Sequence, residues 1–128
     1  MPFAAALGIE LVSADPARVV ATMPVTDDKT TIGGRLHGGA LMAMADTVGA
    51  VCAFLNLPAG ATTTTIESKT NFFRAAVGDR LTATSQPLHV GSTTIVVRTD
   101  LLDDRAKAVA VVTQTQIVIA DPSPQPVS

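Results

Sequence analysis

The sequence predicts an α+β domain in which a curved antiparallel sheet of about six strands wraps around one long central helix. Residues 38–57 are rich in helix-forming residues and apolar on nearly every face, which is typical of a buried helix. The residues that follow are rich in Thr, Val and Ile and are interrupted by turn-forming residues, which favours strands. Since the helical and strand-like segments are segregated along the chain, we predict the α+β class.

In chain order, the predicted elements are a short helix, a two-stranded hairpin, a polar loop, the long helix and four strands, at residues 2–8, 9–14 with 18–25, 26–36, 38–57, 62–74, 80–89, 92–102 and 106–119. The turn residues Asp15 and Pro16 separate the two hairpin strands, and Pro58 ends the long helix. The last four strands are joined by short turns, so we predict that they form an antiparallel meander.

Residues 92–102 show the clearest strand alternation. Ile95, Val97 and Thr99 share one face, while Arg98 and Asp100 lie on the other. We interpret the charged residues 103–105, which follow, as a solvated hairpin tip. A single sheet around one helix leaves edges and surface uncovered, so we expect the chain to pair with copies of itself as a dimer or tetramer.

Length and composition are those of one globular domain. The chain has 128 residues, of which 47% are hydrophobic and 16% are charged, so it has enough apolar material for a core. We assign residues 1–120 to this domain and expect the Pro-rich residues 121–128 to be a disordered tail. The net charge of −2 and the lack of a basic cluster argue against a nucleic-acid partner.

Cysteine and histidine are too few for a disulfide framework or a zinc site. Cys52 is the single cysteine, and two His with one Cys make a poor ligand set for zinc, so we expect no metal. The N-terminus lacks the pattern of a secretory signal, which favours a cytoplasmic location. The apolar helix contains Asp46, whose charge would be costly in a bilayer, so we expect no membrane association.

Asp46 is the first candidate for chemistry. It is the only ionisable residue with a carboxylate or a basic group in the predicted helix, two turns after its start. A carboxylate in dry surroundings is costly, and proteins usually avoid it or use it. The alternative is an aspartate at an exposed seam, or one that binds backbone at a subunit contact.

The start of the same helix carries His37, Gly38 and Gly39. Two glycines let a ligand approach the N–H groups of the first turn, which lack intrahelical partners and carry the positive end of the helix dipole. Such an end is suited to hold an oxyanion. The alternative is a tight junction between loop and helix, with His37 as a structural residue.

The spacing along the helix keeps these two groups apart. His37 and Asp46 are nine residues apart, which corresponds to a rise of about 13 to 14 Å. The side chains of one chain therefore do not easily meet. If two such helices pair antiparallel, Asp46 of one copy lies beside Gly38 of the other, so we predict a composite site that needs a second subunit.

These residues resemble a known family. His37, Gly38 and Gly39, followed by six residues and Asp46, match the motif of the hotdog-fold acyl-CoA thioesterases, in the PaaI-like (phenylacetate-degradation type) branch. The resemblance extends from about residue 8 to residue 119 and includes the segments 65–74 and 87–91. It implies a hotdog fold and the hydrolysis of an acyl-CoA thioester without a metal or redox cofactor, with coenzyme A as part of the substrate.

The resemblance also implies roles for the motif residues. The N–H of Gly38 would polarise the thioester carbonyl, and His37 would help to hold that loop. Asp46 of the partner subunit would act as general base on water, or as a nucleophile that forms a mixed anhydride. Thr65 would position the lytic water.

The remaining implied contacts are with the substrate. Phe72, Phe73 and Arg74 would lie along the pantetheine and nucleotide path. His89, Gly91 and Ser92 would lie near the coenzyme A phosphates. Thr31 and Gly39 would lie at the carbonyl, and Ala50 in the acyl pocket. Three of these depart from the family pattern. Thr31 stands where relatives often have Asn or Gln, Ala50 where some have Ser or Thr, and Ser92 where many have Arg.

These departures motivate a second hypothesis, a non-catalytic acyl-CoA-binding protein of the same fold. A third is a hydratase of enoyl thioesters, which also uses a His and an acid in this fold. The small side chains around Asp46, at Ala43, Gly49 and Ala50, indicate room for a bulky or aromatic acyl group.

Overall fold

A computed structural model describes residues 1–120 of the chain; the predicted tail at 121–128 lies outside the described residues. The elements are α1, β1, β2, a short 3₁₀ turn, α2, β3, β4, β5 and β6, with the bounds Pro2–Leu7, Glu10–Asp15, Arg18–Pro24, Asp27–Lys29, Gly38–Leu55, Thr62–Phe72, Arg80–Val90, Thr94–Leu102 and Ala108–Ile119. All strands pair antiparallel in one six-stranded sheet, with α2 packed on one face. The predicted α+β class is confirmed.

The prediction that the last four strands form one meander is wrong for β3. The sheet order is β1-β2-β4-β5-β6-β3, so β3 pairs with β6 at the far edge rather than with β4. The seven residues 73–79 that connect β3 to β4 reach about 23 Å when extended, whereas the two strands are about 14 Å apart across the sheet. The connection is therefore long enough to cross two strands, and β4, β5 and β6 alone form the meander.

Four element boundaries differ by two residues from the predicted ones: β3 ends at Phe72 rather than at residue 74, and local turn geometry moves the other three. β5 begins at Thr94 rather than at Ser92, because the N–H of Gly91 donates to the carbonyl of Thr94 at 2.8 Å and closes a turn. β6 begins later than predicted because Ala106 has a positive φ of 59° in the preceding turn. α2 ends at Leu55, where Asn56 caps it by donating its N–H to the carbonyl of Ala53.

The core lies between α2 and the face of the sheet on which the helix packs. The buried residues of α2 are Leu41, Met44, Ala45, Val48, Gly49, Cys52 and Ala53. Apolar side chains of β2, β4, β5 and β6 meet them, and the alternation predicted for β5 is confirmed by the burial of Ile95 and Val97. Each fully buried Val, Leu or Ile side chain contributes roughly 1.5–3 kcal/mol, so this interface holds the helix on the sheet.

The face of α2 turned away from the sheet is not covered in the single chain, in contrast to the predicted burial on all sides. Met42 and Phe54 are 40% and 63% exposed on this face, and Asp46 is also exposed. α2 is long and apolar enough to span a membrane, the one such helix among residues 1–120, but its other face is the core of the domain. An apolar helix face without a partner points to an association surface.

The turn at residues 103–105 is solvated only in part: Asp104 and Arg105 are exposed as predicted, but Asp103 is buried. Asp103 is 5% exposed and accepts hydrogen bonds from the backbone N–H groups of Val77, Arg105 and Lys107. The Arg105 guanidinium also donates to it, at 2.8 and 3.2 Å. This carboxylate thus ties the β5–β6 turn to the crossing connection after β3.

Candidate active site

The first turn of α2 is organised by His37, which is its N-cap. The backbone of His37 is extended, with φ −65° and ψ 133°, and its imidazole Nδ1 accepts the N–H of Gly39 at 2.7 Å. Its own N–H donates to the carbonyl of Lys29 at 2.8 Å, which anchors the preceding loop. A neutral His37 therefore carries its proton on Nε2.

The N–H of Gly38 remains available. The N–H groups of Ala40 and Leu41 donate to the carbonyl of His37, and that of Gly39 is taken by the imidazole. Among the described residues, no hydrogen bond is formed by the Gly38 N–H, which stands at the positive end of the helix dipole. The Phe72 ring would lie 3.2 Å from a Cβ at this position, so a glycine lets the ring cover the turn closely.

Asp46 lies in the third turn of α2 with its carboxylate held on one side. Its Oδ1 accepts the hydroxyl of Thr65 on β3 at 2.9 Å and the Nε2 amide of Gln114 on β6 at 3.1 Å. Within residues 1–120, no donor reaches Oδ2. One oxygen is thus fixed by two neighbours, and the other is open to a ligand in an exposed depression of about 320 Å³.

A second glutamine of β6, Gln116, forms a hydrogen bond with Thr65. The Nε2 amide of Gln116 donates to the Thr65 hydroxyl at 2.6 Å, so Thr65 accepts from Gln116 while it donates to Asp46. The Gln116 Oε1 lies 3.1 Å from the hydroxyl of Thr63. This chain of hydrogen bonds fixes the direction in which the Thr65 proton points.

Neither glutamine of this network was predicted from the sequence, although strand β6 carries a signal for both. In the alternating strand β6, residues 110, 112, 114 and 116 point to the core, and two of these are Gln. Gln114 and Gln116 are 0% and 1% exposed. Two amides at core-facing positions of an apolar strand need polar partners, and those partners are the residues of the Asp46 site.

The two predicted halves of the site are not brought together within one chain. His37 and Gly39 line a depression of about 300 Å³, with Phe3 and Leu7 of α1, whereas Asp46 lines the separate one with Thr65. Gly38 and Asp46 are eight residues apart on a straight helix, a rise of about 12 Å. A substrate carbonyl on one chain therefore does not touch both groups.

The residues implied for coenzyme A also fall into two separate groups. Phe72 and Phe73 are 52% and 53% exposed at the end of β3, where Phe72 is level with Ala110, and Arg74 follows them. His89 is level with Val96 across β4 and β5, at the other end of the sheet. The structure keeps these groups apart in one chain.

The residues of the β4–β5 turn form a local cluster. The His89 Nε2 would lie 2.6 Å from a Cβ at position 91, so Gly91 makes room for the imidazole. Ser92 is exposed beside them, in the turn before β5. Gly91 therefore has a packing role beside the His89 imidazole, and this contact does not indicate a ligand.

Thr31 and Ala50, which were implied near the carbonyl and in the acyl pocket, lie in different parts of the structure. Thr31 is exposed in the turn of residues 31–35, where its N–H donates to the carbonyl of Arg35 at 2.7 Å. Ala50 lines a third depression, with Phe54 and Thr63. Gly49 does not give room for an acyl group, because the Gln114 Oε1 occupies the space beside it, 2.0 Å from the Cβ position. The inferred acyl space at Gly49 is therefore wrong.

Cys52 takes no part in the chemistry of the site. The thiol is buried in the core, and its burial, together with the charge of Asp15, raises its pKa to about 11. It is therefore almost entirely a thiol at neutral pH, and a thiol is a weak nucleophile. In the described part of the chain, no three His, Cys, Asp or Glu side chains are grouped as metal ligands would be.

Comparison with known proteins shows which family carries this arrangement. Residues 33–110 match the sequence profile of the family described as "Thioesterase superfamily". The acyl-coenzyme A thioesterase PaaI of Escherichia coli is 38% identical over 109 residues, which are 84% of this chain and 75% of that protein. ComA2 of Bacillus subtilis is 34% identical over 89% of this chain and 91% of its own length.

The fold is shared with solved structures. A thioesterase from Haemophilus influenzae superposes with a TM-score of 0.89 at 28% identity, over 96% of this chain and 86% of that one. The structure of E. coli PaaI superposes with a TM-score of 0.86 at 30% identity, over 94% and 86% of the two chains. Both contain the same arrangement of one long helix on an antiparallel sheet, which confirms the predicted hotdog fold.

Proposed function

This chain belongs to the thioesterase superfamily and is a thioester hydrolase, and we propose that its active site joins Asp46 of one subunit to the Gly38 N–H of another. The substrate class is an acyl-CoA thioester. The observation that carries the proposal is the asymmetric state of Asp46: Oδ1 is bound by Thr65 and Gln114, while Oδ2 has no donor within residues 1–120.

Hydrolysis then proceeds through the open oxygen. Oδ2 of Asp46 removes a proton from water as the water oxygen attacks the thioester carbon, and the carbonyl oxygen becomes an oxyanion that the Gly38 N–H stabilises. The C–S bond breaks, and the sulfur leaves with the proton held by Asp46. As a nucleophile, Oδ2 instead attacks the same carbon, the C–S bond breaks, and the coenzyme A thiolate leaves. Water then hydrolyses the resulting anhydride, which releases the acid and regenerates the Asp46 carboxylate, and the proton lost from that water neutralises the thiolate.

The geometry of α2 supports a site shared between subunits. Residues 38, 42 and 46 recur at intervals of four and lie on one stripe of the helix. A two-fold axis near Met42, which is midway between the two groups, brings position 46 of each helix level with position 38 of its partner. Met42 is 40% exposed, so this stripe is free to meet a second copy.

The sheet edge beside the site supports the same association. β3 is an edge strand of 11 residues, and in the described part of the chain only β6 pairs with it. Ile66 and Phe72 on this strand are 57% and 52% exposed. Long edge strands and exposed apolar side chains are usually covered in the functional assembly.

The proposed reaction draws on protein groups alone. A carboxylate supplies the base or nucleophile, and a helix N-terminus supplies the oxyanion donor, so neither step calls for a metal or a redox cofactor. Coenzyme A enters as part of the substrate. Free thiol release from a panel of acyl-CoAs measures the activity directly.

Subunit complementation tests the shared site. Gly38→Pro removes the N–H at the first helical position, where proline is tolerated, and the extended backbone of His37 is compatible with a following proline. Gly38→Ala is the matched control, because it keeps the N–H and adds similar bulk next to Phe72. We expect kcat of Gly38→Pro to fall about 10²–10³-fold and clearly further than that of Gly38→Ala.

Hybrid dimers then separate the two halves. Asp46→Asn and Gly38→Pro subunits are each inactive alone, but a hybrid contains one intact composite site. Random mixing therefore restores about a quarter of the wild-type activity. If the mixture stays as inactive as its components although hybrids form, each site is built within one chain and the proposal is wrong.

A further inference from the structure

We propose that Gln114 is a positioning residue for Asp46, and that Gly49 exists in this sequence to make space for the Gln114 amide. This inference rests on the proposed function, since it assigns Gln114 a task only if Asp46 is the reacting group. Gln114 touches no reacting atom; it acts through the carboxylate.

The Gln114 side chain crosses the interface between sheet and helix. It starts on β6, is fully buried, and donates from Nε2 to the Asp46 Oδ1 at 3.1 Å. Thr65 donates to the same oxygen from β3 at 2.9 Å. Two donors from two strands hold Oδ1 and fix the rotation of the carboxylate, which lines the depression in which we place the substrate.

Stability alone does not account for a glutamine at this position. The Gln114 Oε1 is buried and has no hydrogen-bond partner within residues 1–120. A buried acceptor without a partner destabilises the fold, whereas an apolar side chain of similar size would fill this place without that cost. The amide is therefore retained at the expense of stability, and its one hydrogen bond is to Asp46.

The absence of a side chain at Gly49 leaves the space that the Gln114 amide occupies. A Cβ at position 49 would lie 2.0 Å from the Gln114 Oε1 and 2.6 Å from its Cδ, so any other residue must displace the amide. Gly49 lies in the middle of α2, where glycine is unfavourable relative to alanine. Two locally unfavourable residues in mutual contact indicate one joint task, which is to deliver a donor to Asp46.

The first test replaces the amide by an apolar side chain of similar length. We expect Gln114→Met to lower kcat about 10–100-fold on the best acyl-CoA while KM changes little, because the carboxylate loses its orientation but substrate contacts remain. Gly49→Ala displaces the amide without removing it, and we expect a loss of the same order. A kcat within twofold of wild type in both folded variants would overturn the inference.

A pH-dependent readout separates positioning from packing. In Gln114→Glu, the introduced side chain is a donor only while it is protonated, and when ionised it repels Asp46. The ratio of its kcat to that of wild type therefore rises as the pH falls. A ratio that does not vary with pH would indicate a structural effect and would count against positioning.

The matched control is Ser85→Ala. Ser85 and Thr99 form a buried hydrogen bond of 2.6 Å between β4 and β5. Ser85 is separated from Gln114 by the whole of β5, and this pair shares no hydrogen bond with Asp46, Thr65 or Gln114. This variant leaves a buried hydroxyl without its partner, so we expect it to lower the melting temperature. Its kcat should stay at the wild-type value, because the loss is unrelated to the carboxylate.

The single and double variants of Asp46 and Gln114 distinguish a failure of the proposed function from a failure of the positioning role alone. If Asp46→Asn keeps wild-type turnover, the proposed function is wrong. If Asp46→Asn is inactive but Gln114→Met is fully active, only the positioning role is wrong. If Gln114 acts through Asp46, the double variant Asp46→Asn with Gln114→Met turns over no more slowly than Asp46→Asn alone. A further loss would show that Gln114 acts elsewhere.

Discussion

Asp46 and Asp103 are both hydrogen-bonded aspartates, and they are bound in opposite ways. Asp103 is 5% exposed, and both of its oxygens accept hydrogen bonds, from three backbone N–H groups and from the Arg105 guanidinium. Asp46 is exposed, has no cation among its described partners, and is bound at Oδ1 only.

The difference is one of remaining capacity. A carboxylate that has donors on both oxygens and a guanidinium beside it is a stable anion with little tendency to take a proton or attack a carbon. A carboxylate fixed through one oxygen keeps the other available in a known direction. Asp103 therefore fixes the β5–β6 turn to the connection after β3. Asp46 instead keeps one oxygen available, as its proposed role in hydrolysis requires.

The largest expected effect is on turnover. Asp46→Asn should lower kcat by at least 10²-fold, because the amide is neither a general base nor a comparable nucleophile. Thiol release from the best acyl-CoA measures this, and unchanged circular dichroism serves as the folding control. Turnover close to wild type would remove the distinction between the two aspartates.

Asp103→Asn should give the converse result. The amide cannot accept all the bonds that the carboxylate accepts, and it loses the ion pair with Arg105, so the melting temperature should fall by several degrees. The kcat of the folded variant should be unchanged well below that temperature. A loss of turnover without a loss of stability would mean that Asp103 affects the site directly.

The pH dependence of stability sharpens the comparison. The Arg105 guanidinium, with the N–H groups around it, holds the pKa of Asp103 well below its usual range. A lowered pKa in the folded state means that this stabilisation is fully present above the unfolded-state value of about 3.9 and is lost as the pH falls through the folded-state value. The melting temperature should therefore decrease as the pH is lowered from about 5. The decrease should be less steep in Asp103→Asn than in Asp100→Asn, the control variant that keeps Asp103.

The smallest effect is expected at the exposed ion pair of β5. Arg98 and Asp100 are 3.0 Å apart, with side chains 52% and 31% exposed. Such pairs typically contribute about 0–1 kcal/mol, so Arg98→Ala should change the free energy of unfolding by less than Arg105→Ala does. Urea unfolding of the two variants measures the contrast, and an equal loss in both would contradict the argument from burial.

The fold class followed from local patterns. The apolar run of α2, the alternation of β5 and the turn residues between strands each act over a few residues, so the sequence displays them directly. The pairing of β3 with β6 depends on a connection that crosses two strands, and neighbours in sequence did not indicate it. A short connection usually joins neighbouring strands, which favoured β4 as the partner of β3. Residues 73–79 are long enough to cross the sheet, so β3 pairs with β6 instead.

The candidate site was predicted only in part for the same reason. Asp46, Gly38 and His37 stand out because a lone acid and a glycine pair are unusual within one helix. Gln114 and Gln116 are far from them in the chain, and only the sheet brings β6 beneath α2. The same packing fills the space at Gly49, where the small side chains near Asp46 had suggested room for an acyl group.

By itself, the sequence determined the α+β class, the long helix, the family and the position of the one carboxylate in that helix, because each is expressed in residue types at short spacing. The tertiary structure decided which oxygen of Asp46 is bound and which is open, and it buried Asp103 at a turn whose other charged residues, Asp104 and Arg105, are exposed. Both outcomes depend on donors from distant strands, and hydrogen bonds act only over a few ångströms in space, whatever the distance along the chain.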